Sequence, residues 1–145
     1  MMADEFTNRE TAIVTILTAN LASTYICSNK DSINLGTGTH LYNVLVQWMG
    51  LSNELDSGTT CFETDREKYR LICTPISGVT NDDASTQCNK MAAEVMDVLR
   101  NSSLVNALTI DPGECLTEFR VESVDKGYYQ KRLSAQITFS FLADE

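Results

Sequence analysis

The chain has one histidine, five unpaired-looking cysteines, few basic residues and no long apolar run. Each shortage removes a class of function. His40 stands beside a Gly-Thr-Gly-Thr loop, and histidine catalysis needs a nucleophile or a second ligand that nothing nearby supplies. The loop also lacks the lysine of a phosphate-binding P-loop, and no helical pattern follows it, so it reads as a flexible loop. No stretch approaches the ~20 apolar residues of a membrane helix. The opening MMADEFTNRE has neither the basic nor the hydrophobic region of a secretory signal, so the expectation is a protein made in a cytoplasm or in a particle assembled there. Cys27, Cys61, Cys73, Cys88 and Cys115 are odd in number, widely spaced and nowhere C-x-x-C. That spacing excludes a zinc ribbon or a disulfide framework and leaves small buried apolar residues as the reading. No cofactor or metal is expected. The 11 basic residues face 20 acidic ones, and the resulting charge of −9, spread along the chain, opposes nonspecific nucleic-acid binding.

What remains is an ordinary globular composition, 43% hydrophobic and 21% charged, without internal repeat, low-complexity tract or linker. The 145 residues fit one domain, 1–145, large enough to bury its own core. Thr7 and Glu10 have the T-x-x-E spacing of a capping box, which predicts a helix over about 8–22 with Ile13, Ile16, Leu17 and Leu21 on its buried face. A short apolar piece, TYIC, precedes a polar loop over 30–39, and LYNVLVQW reads as a strand. Gly50 and SNELDSGTT then read as a second loop, about 50–60. EKYRLICTPI is a strand with Tyr69, Leu71 and Cys73 on one face and Lys68, Arg70 and Ile72 on the other, ending near Pro75. The most regular helix follows, capped by Thr80, Asp82 or Asp83, with Cys88, Met91, Ala92, Val95, Val98 and Leu99 as its apolar face.

After a break at Pro112-Gly113 two strands remain, ECLTEFRVESV and YYQKRLSAQITFSFL. Asp125-Lys126-Gly127 between them predicts a three-residue hairpin loop, with Val124 opposite Tyr128 and Phe119 opposite Leu133, a register that keeps apolar residues together. Two amphipathic helices, several strands and this hairpin define the class. It is α+β, a mainly antiparallel sheet with both helices on one face, closing with a long C-terminal hairpin.

The last strand alternates strictly. Leu133, Ala135, Ile137, Phe139 and Phe141 point one way, and Ser134, Gln136, Thr138 and Ser140 the other, in line with Arg132. Hydroxyls and amides of this size suit water, but also the close approach of a neighbouring subunit or a wet channel wall. On the same non-core face of the hairpin lie Glu118 and Glu122 with Arg120 between them. They resemble a solvated or intersubunit face more than an acid/base dyad, and neither they nor Asp82-Asp83 have the spacing of a calcium loop. Arg66, Lys68 and Arg70 form a second candidate surface. Their two readings are a charged edge strand that blocks sheet extension, and a salt-bridging face for an acidic partner.

The series EKYRLICTPISG, then ASTQCNKMAAEVMDVLRNSSL, then ECLTEFRVESVDKGYYQKRLSAQITFSFL resembles the second half of the tail terminator, or tail completion, proteins of tailed bacteriophages. Val95, Val98, Leu99 and Leu104 occupy the helix pattern, Asp125 and Gly127 the turn, and Phe139 and Phe141 the aromatic last strand. The likeness runs over about residues 66 to 142 in detail and covers the first helix in outline. It implies a structural virion protein without catalysis: a ring, commonly a homohexamer, that caps the tail tube, ends its polymerisation and meets a head-tail connector or neck protein, with DNA passing only through its channel. An acidic bore would then repel DNA and let it slide. The neighbouring readings are another neck, connector or baseplate subunit and, from a different class, a small-ligand-binding α+β domain built around His40.

Overall fold

Alternation in the last strand sets the sheet. In the computed structural model of the chain, residues 5–30, 33, 39–55, 63–76, 81–100 and 115–144 are described. Among them the elements are α1 (Glu5–Asn20), β1 (Tyr25–Ser28), β2 (Tyr42–Leu55), β3 (Glu63–Pro75), α2 (Asn81–Leu99), β4 (Cys115–Tyr129) and β5 (Arg132–Asp144). They build one five-stranded sheet in the order β1-β2-β3-β5-β4. Every neighbouring pair is antiparallel except β1 with β2, which pair in parallel from Tyr25 opposite Tyr42 to Ser28 opposite Leu45. The fold is α+β, as the pattern predicts.

The core lies between the helices and one face of this sheet. Val44 and Val46 of β2, Tyr69, Leu71 and Cys73 of β3, and Ala135, Ile137, Phe139 and Phe141 of β5 meet Ile13 and Leu17 of α1 and Cys88, Met91, Val95, Val98 and Leu99 of α2. Each fully buried aliphatic or aromatic side chain here contributes roughly 1.5–3 kcal/mol relative to exposure. Phe119, Tyr69, Phe139 and Phe141 form a continuous aromatic group, with ring centroids 5.2 to 6.5 Å apart. The expected apolar faces of both helices and of the last strand are therefore the ones that pack.

Four local expectations are corrected. α1 already begins at Glu5, so Thr7 is helical and Thr7/Glu10 is not a capping box. Glu10 instead reaches across to the sheet, where its carboxylate accepts the Trp48 backbone N–H at 2.7 Å and the Asn29 side-chain amide at 3.4 Å. Gly50 does not open a loop: β2 runs on to Leu55, and Gly50, at φ 139°, forms the bulge between Trp48 and Gly50 in the pairing with β3. β3 is interior, flanked by β2 and β5, so Arg66, Lys68 and Arg70 do not guard a sheet edge.

The hairpin register is the fourth correction. β4 continues straight through Asp125-Lys126-Gly127, and the turn is Gln130-Lys131, with Tyr129 opposite Arg132 and Gly127 opposite Ser134. Both turn residues have positive φ, 50° and 66°, which is the two-residue type I′ turn whose twist matches the strands. Two bulges, around Glu118 and Glu122, then restore apolar alignment by bringing Val121 opposite Phe139 and Val124 opposite Ile137. The predicted helix cap at Thr80, the side chain of Asp82, the break at Pro112-Gly113, Leu104, most of the 30–39 segment and residues 56–60 lie outside the described residues.

Candidate functional site

A charged contact holds α1 to the sheet. Arg9 shares the i, i+4 stripe of Ile13 and Leu17, and Glu67 shares the face of Tyr69 and Leu71, so helix packing drives two opposite charges together. Arg9 Nε and Nη2 each lie 3.3 Å from a Glu67 oxygen, both residues are buried, and the Tyr69 hydroxyl donates to Glu67 at 2.7 Å. The Arg9 guanidinium also sits 5.5 Å from the Phe141 ring centre. Burial, reinforced by the Glu67 charge and hydrogen bond, raises the Tyr69 pKa, so its hydroxyl keeps its proton. This is a structural tie with no open face for a substrate.

The opposite face of the sheet carries the residues singled out from sequence, and it brings the two candidate groups together. Arg66 is 1% exposed. Its Nη1 donates to Ser140 Oγ at 3.0 Å and to the Glu118 carbonyl at 3.3 Å, and its Nη2 lies 3.8 Å from the Glu118 carboxylate. Lys68 pairs with Glu122 at 3.5 Å. A hydrogen bond from Ser140 holds the Glu122 carboxyl below its ordinary range, against a smaller opposing effect of burial and with help from Lys68 and Arg120. Arg70 donates to Gln47 Oε1 at 2.6 Å, while its buried Nε has no partner among the described residues. Ser134 donates to the Arg132 carbonyl at 3.2 Å and accepts from Thr74 at 2.7 Å.

Ser134 and Ser140 are thus buried inside the subunit rather than displayed by it. Arg120, Arg132, Glu118 and Glu122 are exposed, and Gln136 and Thr138 are half-buried. The face also curls. Tyr129, near the hairpin end, lies three strands from β2 in sheet order, yet its hydroxyl accepts from Gln47 Nε2 at 3.4 Å. In a flat sheet those backbones would be separated by about 14 Å across the strands, at ~4.8 Å per strand, plus several residues along them. The hairpin end therefore bends over the face, and Gln130 beside it accepts the Ile33 backbone N–H at 3.1 Å. Arg66, Lys68, Arg70, Arg120 and Arg132 stand on these strands beside Glu118, Glu122 and Asp125.

Among the described residues no group of histidines, cysteines and carboxylates could hold a metal. Burial raises the thiols of Cys27, to about 11, of Cys73 and of Cys88, which suits packing and not nucleophilic attack. A groove of about 400 Å³ lies between the α1 end and α2, lined by Asn20, Leu21, Ala22, Glu94, Asp97 and Val98. His40 is not part of it, and the Gly-Thr-Gly-Thr loop is mostly outside the described residues. No helix of the described residues is long and apolar enough to cross a membrane.

Two amphipathic helices on one face of a curled, mainly antiparallel sheet, with a tied polar opposite face, define the class as an α+β scaffold. No protein-family profile and no curated protein matches the chain. Among solved structures, it shares its fold with the sheath/tube terminator of an extracellular contractile injection system, PVC, seen by cryo-EM in the extended state. The TM-score is 0.58 at 10% identity, and the match covers 98% of this chain and 55% of that one. The chain therefore spans about half the length of that terminator, and has a tail-terminator-like fold.

Proposed function

We propose that the protein is a non-enzymatic tail terminator: a ring-forming subunit, in the hexameric arrangement the resemblance implies, that caps a tail tube, ends its growth and provides the joint to the next component. The observation that carries this is a terminator fold matched over 98% of the chain. The chain's own features agree with a building block. Its sheet face is cross-tied by Arg66, Lys68 and Arg70, and its thiols are buried and hard to ionise. The partners are further copies of itself, the tube or sheath protein, and a head-tail connector or neck protein. DNA meets it only in passage.

The direct test adds the purified protein to polymerising tube protein from the same particle and measures tube lengths by negative-stain microscopy. Shortened tubes with a ring at one end are expected. Unchanged lengths, with the protein free in solution, would overturn the terminator role. Binding to a neck or baseplate protein in place of the tube end would reassign it to that neighbouring position.

A further inference from the structure

Five large apolar side chains are well exposed among the described residues, and all sit on two strands: Trp48, Met49 and Leu51 on β2, and Val124 and Tyr128 on β4, Tyr128 at 77%. These strands also carry the open edges of the sheet. β1 covers β2 only from Tyr42 to Leu45, so beyond that point β2 has no outer partner strand among the described residues, and β4 ends the sheet on the other side.

An open edge is a template for another strand, and proteins that must stay monomeric blunt it with charge, proline or bulges. β2 carries only the last of these, the bulge at Gly50. From Gln47 to Asn53 it has no charged residue and no proline. β4 is bulged near Glu118 and Glu122, but its last part, Ser123–Tyr129, pairs without interruption. Strand directions fit as well. β2 and β5 run one way and β3 and β4 the other, so a sheet continued from one copy to the next sets β4 antiparallel to β2.

We propose that β2 from Met49 to Asn53, past the point where Glu10 and Phe6 of α1 occupy Trp48, and β4 from Ser123 to Tyr129 are the two halves of a seam between copies of this chain, joined edge to edge. The two halves differ and lie at opposite ends of the sheet, so the contact is head-to-tail and repeats until it closes. The occupant is a second copy because each copy offers both halves. In a chain of net charge −9, an uncharged edge is also where copies approach at least electrostatic cost. The seam deepens the ring reading and rests on it for closure.

Sedimentation velocity on three preparations tests it: the natural chain, Met49→Glu/Leu51→Glu on β2, and Val124→Glu/Tyr128→Glu on β4. All four positions are exposed, and unchanged denaturation midpoints will show that the variants fold. Each variant alone should remain monomeric. Their equimolar mixture should stop at a dimer, since one intact β2 edge then meets one intact β4 edge, while the natural chain forms closed rings. Rings from either variant would overturn the seam and leave the terminator role standing, because tube capping by the natural chain is scored separately. A β4 variant that dimerises alone would replace the seam with a symmetric β2–β2 contact. A natural chain that never associates would sink both the seam and the ring.

Discussion

At the residue scale the Arg9–Glu67–Tyr69 contact is the most exposed to mutation in energetic terms, because it places two charges where water cannot reach them. Removing one partner strands the other. Arg9→Met should destabilise the chain by about 3–5 kcal/mol, whereas Arg9→Met combined with Glu67→Gln should recover much of that loss. Urea denaturation of both variants will distinguish this from simple loss of packing, in which the two changes would add. The pair was readable in principle. Arg9 falls on the Ile13–Leu17 stripe and Glu67 on the Tyr69–Leu71 face, so each is a charge on an apolar face. Nothing local says that two such positions, 58 residues apart, meet.

Thiols give the second residue-scale outcome. A raised folded pKa means that the neutral form is favoured in the folded state. The stabilisation is fully present below the unfolded value of 9 and is lost as pH rises through the folded one, about 11 for Cys27. Thermal stability should therefore begin to fall above pH 9, with the raised Cys73 thiol adding to the loss. At pH 8 a disulfide-exchange reagent should modify Cys27, Cys73 and Cys88 slowly in the native protein and fast in denaturant. Rapid native reaction of all three would show that they are not packed as described.

At the scale of elements, apolar periodicity was enough to place both helices, the β3 faces and the last strand, because burial of one face is what decides their position. It failed at the terminal turn for a definable reason. Asp125-Lys126-Gly127 imitates a loop signal, while Gln130-Lys131 takes a left-handed conformation without the Asn-Gly that normally announces it. The bulges at Glu118 and Glu122 compound the error, since each shifts the register by a residue without leaving an obvious mark in the sequence. Two substitutions separate the registers. Gln130→Asn/Lys131→Gly should stabilise the protein by about 1 kcal/mol by relieving left-handed strain. Gly127→Thr should be tolerated, since a Cβ there meets only the Gln136 side-chain nitrogen at 3.6 Å. With a loop at 125–127 the second change would be costly and the first without effect.

The candidate face was legible as a pattern and not as a contact map. Alternation alone put Glu118, Glu122, Ser134, Gln136, Thr138 and Ser140 on one side and Arg66, Lys68 and Arg70 on one side. It could not say that these are the same side, paired across β3, β5 and β4, because sheet order is not a local property. The burial of Ser134 and Ser140 changes one expectation directly. A tryptophan at Ser134 should disturb the subunit itself, whereas Thr138, half-buried, remains a position where bulk can act on a neighbour.

For the whole molecule, charge and edges make opposing demands on assembly. Every copy carries −9, so copies repel at long range, while the proposed seam has no charged residue from Met49 to Asn53 on its β2 side and exposes Met49 and Leu51 there. Screening acts on the first and hardly on the second: the Debye length falls from about 30 Å at 0.01 M salt to about 8 Å at 0.15 M. Ring formation should therefore strengthen as salt rises over this range, read as growth of the fast-sedimenting species at fixed protein concentration. A ring held by exposed ion pairs, such as Arg120 or Arg132 against a neighbour's carboxylates, would show the reverse and weaken with salt. The same acidic surface predicts no retardation of duplex DNA on a gel even at low salt, where electrostatic attraction is strongest. DNA retardation together with salt-weakened assembly would mean that the basic side chains of the curled face, and not the open strand edges, govern what this protein meets.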